Sequence, residues 1–183
     1  MSARLALLIA MAALAAAPAA PAQGIELSGL IAPEFACHGQ KNLRAAAVVQ
    51  EHTMRCMTNF ARGRAGLSAL VDAPLLDRSA ERKSGDVLRC DSFSHQACGR
   101  DFAYWMRRFG ALHDGCTGAA ENLAWGTGRY ATVRSIFTAW IHSTGHRENI
   151  LGDYDSIGVG LRIGTLEGSR NAHVWTQHFT EQC

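Results

Sequence analysis

Several motifs that mark catalytic and metal-binding proteins are missing from this chain of 183 residues. It has no Cys-x-x-Cys pair, which argues against a zinc-thiolate site. It also has no His-Glu-x-x-His motif, so a zincin-type peptidase is not expected. No Gly-x-Ser-x-Gly elbow is present, which argues against the usual serine nucleophile of α/β-hydrolases.

A strong excess of either charge is also missing. Lysine and arginine total 18 and aspartate and glutamate total 16, and the arginines are scattered along the chain. A nucleic-acid partner would require a basic patch or stripe, so none is expected. There are no internal repeats, and the length suits one domain with a real core.

The first 22 residues differ in composition from the rest. Arg4 precedes an apolar run that is short for a membrane span, and Pro18 and Pro21 follow it. Small residues end the segment, which predicts a signal peptide over 1–22 that is cleaved after Ala22. We then expect an extended lead-in over 23–41 and one domain over 42–183. The signal peptide predicts export to the periplasm or the extracellular space, and no membrane span is expected after its cleavage.

All six cysteines follow the predicted cleavage point. An even number of cysteines behind an export signal predicts disulfides formed in an oxidising compartment, here three with no free thiol. The pairing stays open, although we favour Cys98 with Cys116 because that bond would close the aromatic-rich segment between them. The six are Cys37, Cys56, Cys90, Cys98, Cys116 and Cys183.

Hydrophobic periodicity predicts helices first and a sheet at the end. The clearest helix carries Val133, Ile136, Phe137, Trp140 and Ile141 at helical spacing and is expected to end at Ser143-Thr144-Gly145. Other helices are predicted over 43–61, with Asn42 as its cap, over 74–88 and over 101–109. Strands are predicted over 121–125, 157–164 and 172–179, the last two as a hairpin. Without regular βαβ alternation, this order favours an α+β fold with an antiparallel sheet.

Five stretches resemble the CAP superfamily, the cysteine-rich secretory, antigen 5 and pathogenesis-related type 1 group, and most closely its bacterial secreted branch. They span about residues 43–180, nearly the whole mature chain. The stretches are Asn59-x-x-Arg62-x-x-x-Gly66-Leu67, Phe93-Ser94-His95, Glu121-Asn122-Leu123-Ala124, the Trp140–Leu151 signature W-x-x-S-x-G-H-R-x-N-I-L, and Ile157–Gly160 with Trp175-Thr176-Gln177.

The resemblance implies an α-β-α sandwich, a small antiparallel sheet between helical layers, with a surface cavity. Family cavities carry two histidines and two glutamates that can hold a divalent metal. Three of these correspond here to His95, Glu121 and His146, whereas Ser143 stands where the second glutamate would be. Lys83 is a further departure, because the second helix of the family often has a histidine near that position.

Two imidazoles and a carboxylate are a known zinc ligand set. Weak binding of zinc or another divalent metal at His95, Glu121 and His146 is therefore an open alternative. Because the fourth family ligand is replaced by Ser143, we expect no required cofactor. Each of these residues also has a structural interpretation, as a hydrogen-bonding group near the sheet or at a turn.

The first functional interpretation is a secreted, non-enzymatic domain, expected to be a monomer. It would bind a small apolar, lipid-like ligand, or a protein or cell-wall partner, through the His/Glu cavity. The alternative is a secreted hydrolase, a peptidase or esterase, that uses His95, Glu121 and His146 with or without zinc. Tyr104, Trp105 and Phe109 are expected in the core, with a ligand groove as the alternative. His173 and His178 are expected to face away from the core.

Overall fold

The computed structural model describes residues 26–113 and 118–181. The predicted signal peptide lies outside these ranges. Five helices and four strands follow one another in the described residues. The helices are α1 (Ala47–Arg64), α2 (Pro74–Arg89), α3 (Tyr104–Arg108), α4 (Val133–His142) and α5 (Thr144–Ile150), and the strands are β1 (Val71–Asp72), β2 (Ala119–Gly126), β3 (Ser156–Leu166) and β4 (Ser169–Thr180).

The four strands form one sheet in the order β1-β3-β4-β2. The hairpin of β3 and β4 is antiparallel, as predicted, and β2 pairs antiparallel with the other side of β4. Only the short β1 runs parallel to its neighbour β3. β4 is thus central, and side chains of β2 lie directly beside those of β4.

Helices cover both faces of the sheet. The larger core lies between the sheet and helices α1, α4 and α5, and it includes Trp140, Phe137 and Trp175. On the opposite face, α2 packs against β3 and β4, and buried Val87 contacts Val174 there. The fold is therefore α+β, an α-β-α sandwich stabilised by disulfides, as the sequence predicted.

Glycines on β3 allow α2 to lie unusually close to the sheet. A Cβ atom at Gly158 would overlap the backbone of Leu76, and one at Gly160 would overlap the backbone of Ala80 and Glu81. The face that the glycines thin is therefore not open to solvent, because α2 fills the space that side chains would take. This second buried face holds the candidate site.

The prediction for α1 was wrong at its start and correct at its end. The helix begins at Ala47, and the Asn42 side chain accepts a bond from the Arg44 amide in a turn. At the other end, Gly66 has a φ of +75° and the Leu67 amide donates to the Arg62 carbonyl. A glycine thus terminates the helix in the left-handed conformation.

The lead-in is not extended. A 3₁₀ helix spans Leu27–Leu30, turns follow it, and Leu30 and Ala32 are buried in the larger core. A disulfide between Cys37 and Cys56 ties this segment to α1. The lead-in therefore packs as part of the domain.

The second described disulfide corrects the predicted pairing. Cys98 is bonded to Cys90, not to Cys116, because the chain turns back after α2 within a sequence separation of 8. No cysteine is free among the described residues. Cys116 and Cys183 lie outside them.

A second, short helix follows almost directly after α4. Ser143 breaks the chain direction with extended backbone angles, and α5 begins directly at Thr144. Gly145 and His146 thus lie in a helix, where a turn had been expected. No helix in the described part of the chain is both long and apolar enough to cross a membrane.

Candidate functional site

The candidate site is centred on the carboxylate of Glu121. Glu121 lies on β2 directly opposite His178 on β4, and its side chain is only 1% exposed. His178 Nε2 lies 2.8 Å from Glu121 Oε2, and the ring is fully buried. Neighbours in a ladder place their side chains on the same face, here the face that α2 covers.

Helix α2 completes the inner part of the cluster. Ser79 Oγ lies 2.8 Å from His178 Nδ1. In a neutral ring whose Nε2–H donates to the carboxylate, Nδ1 accepts the hydroxyl proton of Ser79. The chain Ser79–His178–Glu121 has the partners of a catalytic triad, but both ring nitrogens and the hydroxyl are buried. This geometry orients Glu121 and gives a substrate no access to Ser79.

His95 is the exposed member of the cluster. Its Nδ1 lies 2.7 Å from Glu121 Oε1, yet its side chain is 57% exposed. Lys83 lies beneath it, 1% exposed, with Nζ 3.7 Å from Glu121 Oε1 and donating to the His95 carbonyl oxygen. We call Ser79, Lys83, His95, Glu121 and His178 the Glu121 cluster.

The pKa values of Glu121 and Lys83 depend both on burial and on the charges of their partners. Burial alone would raise the pKa of Glu121, but bonds from His178 and His95 and the charge of Lys83 lower it below its usual value. Burial lowers the pKa of Lys83, while Glu121 and Asp86 oppose that effect. The carboxylate is thus kept ionised with both oxygens occupied.

His146 lies beside this cluster and is not hydrogen-bonded to Glu121. Its Nδ1 lies 2.9 Å from Ser143 Oγ, and its carbonyl oxygen accepts a bond from Asn122. Burial lowers the pKa of His146, and the nearby charge of His95 lowers it further. The structure therefore brings His95 and Glu121 into contact and leaves His146 as a neighbour.

Ser143 has a local role in place of a fourth carboxylate. It precedes α5, and its hydroxyl bonds to His146 three residues later. The adjacent Asn149 binds Glu121 and Asn122 on β2, through the Glu121 carbonyl oxygen and the Asn122 side chain. These contacts fix α5 against β2 and set the position of His146.

The residues present do not fit a divalent metal. Both carboxylate oxygens of Glu121 are bound by imidazoles, and the Lys83 ammonium lies where it would repel a cation. Within residues 26–113 and 118–181, no group of three or more His, Cys, Asp or Glu side chains is placed to hold a metal ion. No chemical step is assigned to a metal here.

Sequence reasoning missed three members of the cluster. His178 was placed away from the core, but that face of the sheet is also buried, because α2 covers it. Lys83 was seen only as a departure from the family pattern, and Ser79 was not considered. The alternation of Gly158 and Gly160 on the neighbouring strand is the signal that reveals a helix packed on this face.

The aromatic residues of α3 also differ from expectation. Tyr104 is 36% exposed, and Trp105 and Phe109 are partly exposed and stacked on each other with ring centres 5.5 Å apart. They therefore form a surface group on α3, not part of the core. Trp140 is buried as predicted, and its Nε1 donates to the Leu123 carbonyl.

A curated relative is the uncharacterized protein YkwD of Bacillus subtilis. It is 34% identical over 126 residues, which are 67% of this chain and 44% of that protein. This chain thus spans less than half the length of the curated relative that it matches. No protein-family model matches the chain.

Three solved structures share the fold. An extracellular protein containing an SCP domain from Bacillus anthracis has a TM-score of 0.60 at 23% identity over 73% of this chain and 40% of its own. An outer surface protein of Borrelia burgdorferi has a TM-score of 0.62 at 18% identity, over 76% of this chain and 97% of its own. A cysteine-rich secretory protein of Staphylococcus aureus has a TM-score of 0.58 at 18% identity, over 76% of this chain and 40% of its own. These likenesses show that the chain shares the fold of these proteins, which agrees with the fold that the motif resemblance implied.

Proposed function

We propose that this chain is an exported binding domain that holds a small apolar, lipid-like ligand in a groove beside α1. Two described disulfides fit an oxidising compartment. The groove, here called the α1 groove, has a volume of about 520 Å³ and lies between the end of the lead-in and α1. Its lining residues are Ala36, Cys37, His38, Val48, Val49, His52, Thr53 and Cys56.

The observation that carries the proposal is the exposed apolar surface of this groove. Val48 is 64% exposed and Val49 is 51% exposed, and both line the same groove. Phe35, directly before the lining residues, is 80% exposed. Exposed apolar surface gathered at one groove is typical of a ligand site.

The composition of the lining favours an apolar ligand. It contains no aspartate, glutamate, lysine or arginine, and its polar groups are limited to His38, His52 and Thr53. A few polar groups at an apolar groove suit a ligand with an acyl chain and a small polar end. The Cys37–Cys56 disulfide keeps both walls of the groove in place.

The proposed ligand site differs from the His/Glu cavity that the resemblance implied. The Glu121 carboxylate is nearly inaccessible and fully hydrogen-bonded, so it offers little to a ligand. The α1 groove is the better-supported site for an apolar molecule. The experiment below distinguishes an apolar ligand from a protein or cell-wall partner.

The test is binding of a fluorescent fatty acid to the purified protein. We expect saturable binding by the wild type and at least about tenfold weaker binding by Val49→Asp, because a carboxylate would be desolvated against the acyl chain. Val71→Asp is the matched control, since Val71 is 66% exposed but lies on β1. Absence of binding, or equal affinity in both variants, would overturn the proposal.

A hydrolase is the second candidate, and His95 is the observation that favours it. An exposed imidazole backed by a buried carboxylate can act as a general base. The test is a panel of peptide, ester and glycan substrates, with His95→Ala compared with the exposed His142→Ala. His95 is mostly exposed, so its removal should leave the fold intact. No turnover by the wild type on any substrate would eliminate this candidate.

A further inference from the structure

A second cavity, unrelated to the Glu121 carboxylate and the α1 groove, is rich in arginine. It has a volume of about 400 Å³ and is lined by α2, by Arg100 and Trp105, and by Arg162 on β3. Its lining includes four arginines and two acids. We call it the arginine cavity; the arginines are Arg82, Arg89, Arg100 and Arg162.

Both acids in the lining are already paired. Asp86, with a side chain only 5% exposed, lies 2.7 Å from nitrogens of both Arg89 and Arg100, and it accepts a bond from Trp105 Nε1 at 2.8 Å. Glu81 pairs with Arg162 at 2.7 Å. Four guanidinium groups against two carboxylates leave the cavity with an excess of positive charge.

Arg82 is the guanidinium whose charge no acid balances. It is exposed, and within residues 26–113 and 118–181 its side chain makes no ion pair or hydrogen bond. Its guanidinium carbon lies 5.9 Å from the centre of the Trp105 ring, and that of Arg100 lies 5.1 Å from the same ring. Two guanidinium groups thus lie near one indole that lines the cavity.

We propose that the arginine cavity binds a small organic phosphate. Guanidinium groups present planar sets of donors that match phosphate oxygens, and Arg82 has all of its donors available. The indole of Trp105 offers an apolar surface to the organic part of the molecule, such as a sugar ring. The buried Asp86 fixes Arg100 and Trp105 in position before a ligand arrives.

The test is calorimetric titration of the full chain with glucose 6-phosphate at moderate ionic strength. We expect Arg82→Gln to weaken binding by about tenfold, since charge-assisted hydrogen bonds are lost. Arg129→Gln is the matched control, because Arg129 is also exposed and lies 4.8 Å from an aromatic ring, that of Tyr130. The control variant should bind as the wild type does.

Two further titrations separate the parts of the site. Inorganic phosphate should bind more weakly than glucose 6-phosphate, and glucose should not bind. If inorganic phosphate binds equally well, the role of Trp105 is overturned. Absence of glucose 6-phosphate binding to the wild type, or equal weakening by both arginine variants, overturns the proposal.

Discussion

At the scale of single residues, Glu121 joins four separate segments of the chain. Its carboxylate contacts His178 on β4, Lys83 on α2 and His95 on the loop that follows α2. A buried carboxylate of this kind is costly to leave without its buried partners, which here are Lys83 and His178. The cluster therefore acts first as a structural connection between α2 and the sheet.

Replacing Lys83 with methionine should strongly destabilise the protein. Lys83→Met removes the cation that faces a buried carboxylate, and breaking a buried pair costs about 3 kcal/mol or more of unfolding free energy. Lys41→Met on the surface is the control and should change stability by less than about 0.5 kcal/mol. Urea unfolding measures both; equal stability of the two variants would contradict the role of Lys83.

The pKa of Glu121 gives the cluster a defined pH dependence. The folded state holds this pKa below the ordinary value of 4.5, so the ionised carboxylate stabilises the protein above about pH 4.5. That contribution is lost as the pH falls further, through the folded-state pKa. Burial raises the pKa of Glu51 and Asp77, which has the opposite effect, so the wild-type curve alone is not diagnostic.

The difference in unfolding free energy between the wild type and Glu121→Gln isolates the contribution of the Glu121 carboxylate to stability. We expect this difference to be constant near neutral pH and to shrink below about pH 4.5. Chemical unfolding at a series of pH values measures it. A difference that grows on acidification would contradict the lowered pKa.

At the scale of elements, the contact of α2 with β3 brings Lys83 and Ser79 to the sheet. Gly158 and Gly160 permit the contact, since any side chain there would meet the helix backbone. The sequence shows the alternation of glycine and apolar residues on this strand, but it does not show which helix fills the space. The helices and strands were largely predictable, whereas the burial of His178 was not.

Gly160→Ala should therefore destabilise the fold. The added Cβ would meet the backbone of Ala80 and Glu81, which cannot move aside as a flexible side chain would, and overpacking of this kind costs about 1–3 kcal/mol. Gly63→Ala in α1 is the control, because nothing lies within 4 Å of its added Cβ. Alanine there should be neutral or stabilising. Thermal unfolding of both variants distinguishes them, and an unchanged melting temperature for Gly160→Ala would refute the close contact.

The motifs that resemble the family predict the fold because their residues make structural hydrogen bonds. Asn59 exchanges two hydrogen bonds with the backbone of Leu70, and Arg62 donates to the carbonyl oxygens of Ser68, Ile150, Gly152 and Tyr154. These contacts hold loops that surround the sheet. Motifs built from such residues predict the architecture well and the ligand poorly.

At the scale of the whole molecule, disulfides fix segments that the core alone would hold weakly. Cys37–Cys56 attaches the lead-in to α1, and Cys90–Cys98 closes the loop that carries His95. Both bonds support a surface that the proposals use. A reduced protein should therefore lose ligand binding before it loses the sheet.

We expect the oxidised protein to contain three disulfides and no free thiol, because an even number of cysteines follows the predicted export signal. Intact-mass spectrometry with and without thiol alkylation counts the free cysteines. Two or more free thiols would contradict the predicted export.

The central claim is that the Glu121 cluster supports the fold while binding occurs elsewhere, in the α1 groove. The most direct test is to measure, on Glu121→Gln, both the free energy of unfolding and the affinity for the fluorescent fatty acid. We predict a loss of about 2–4 kcal/mol of stability, since Lys83 is left without its charged partner, with a fatty-acid Kd within about twofold of the wild type. Unchanged stability together with a lost affinity would contradict the account.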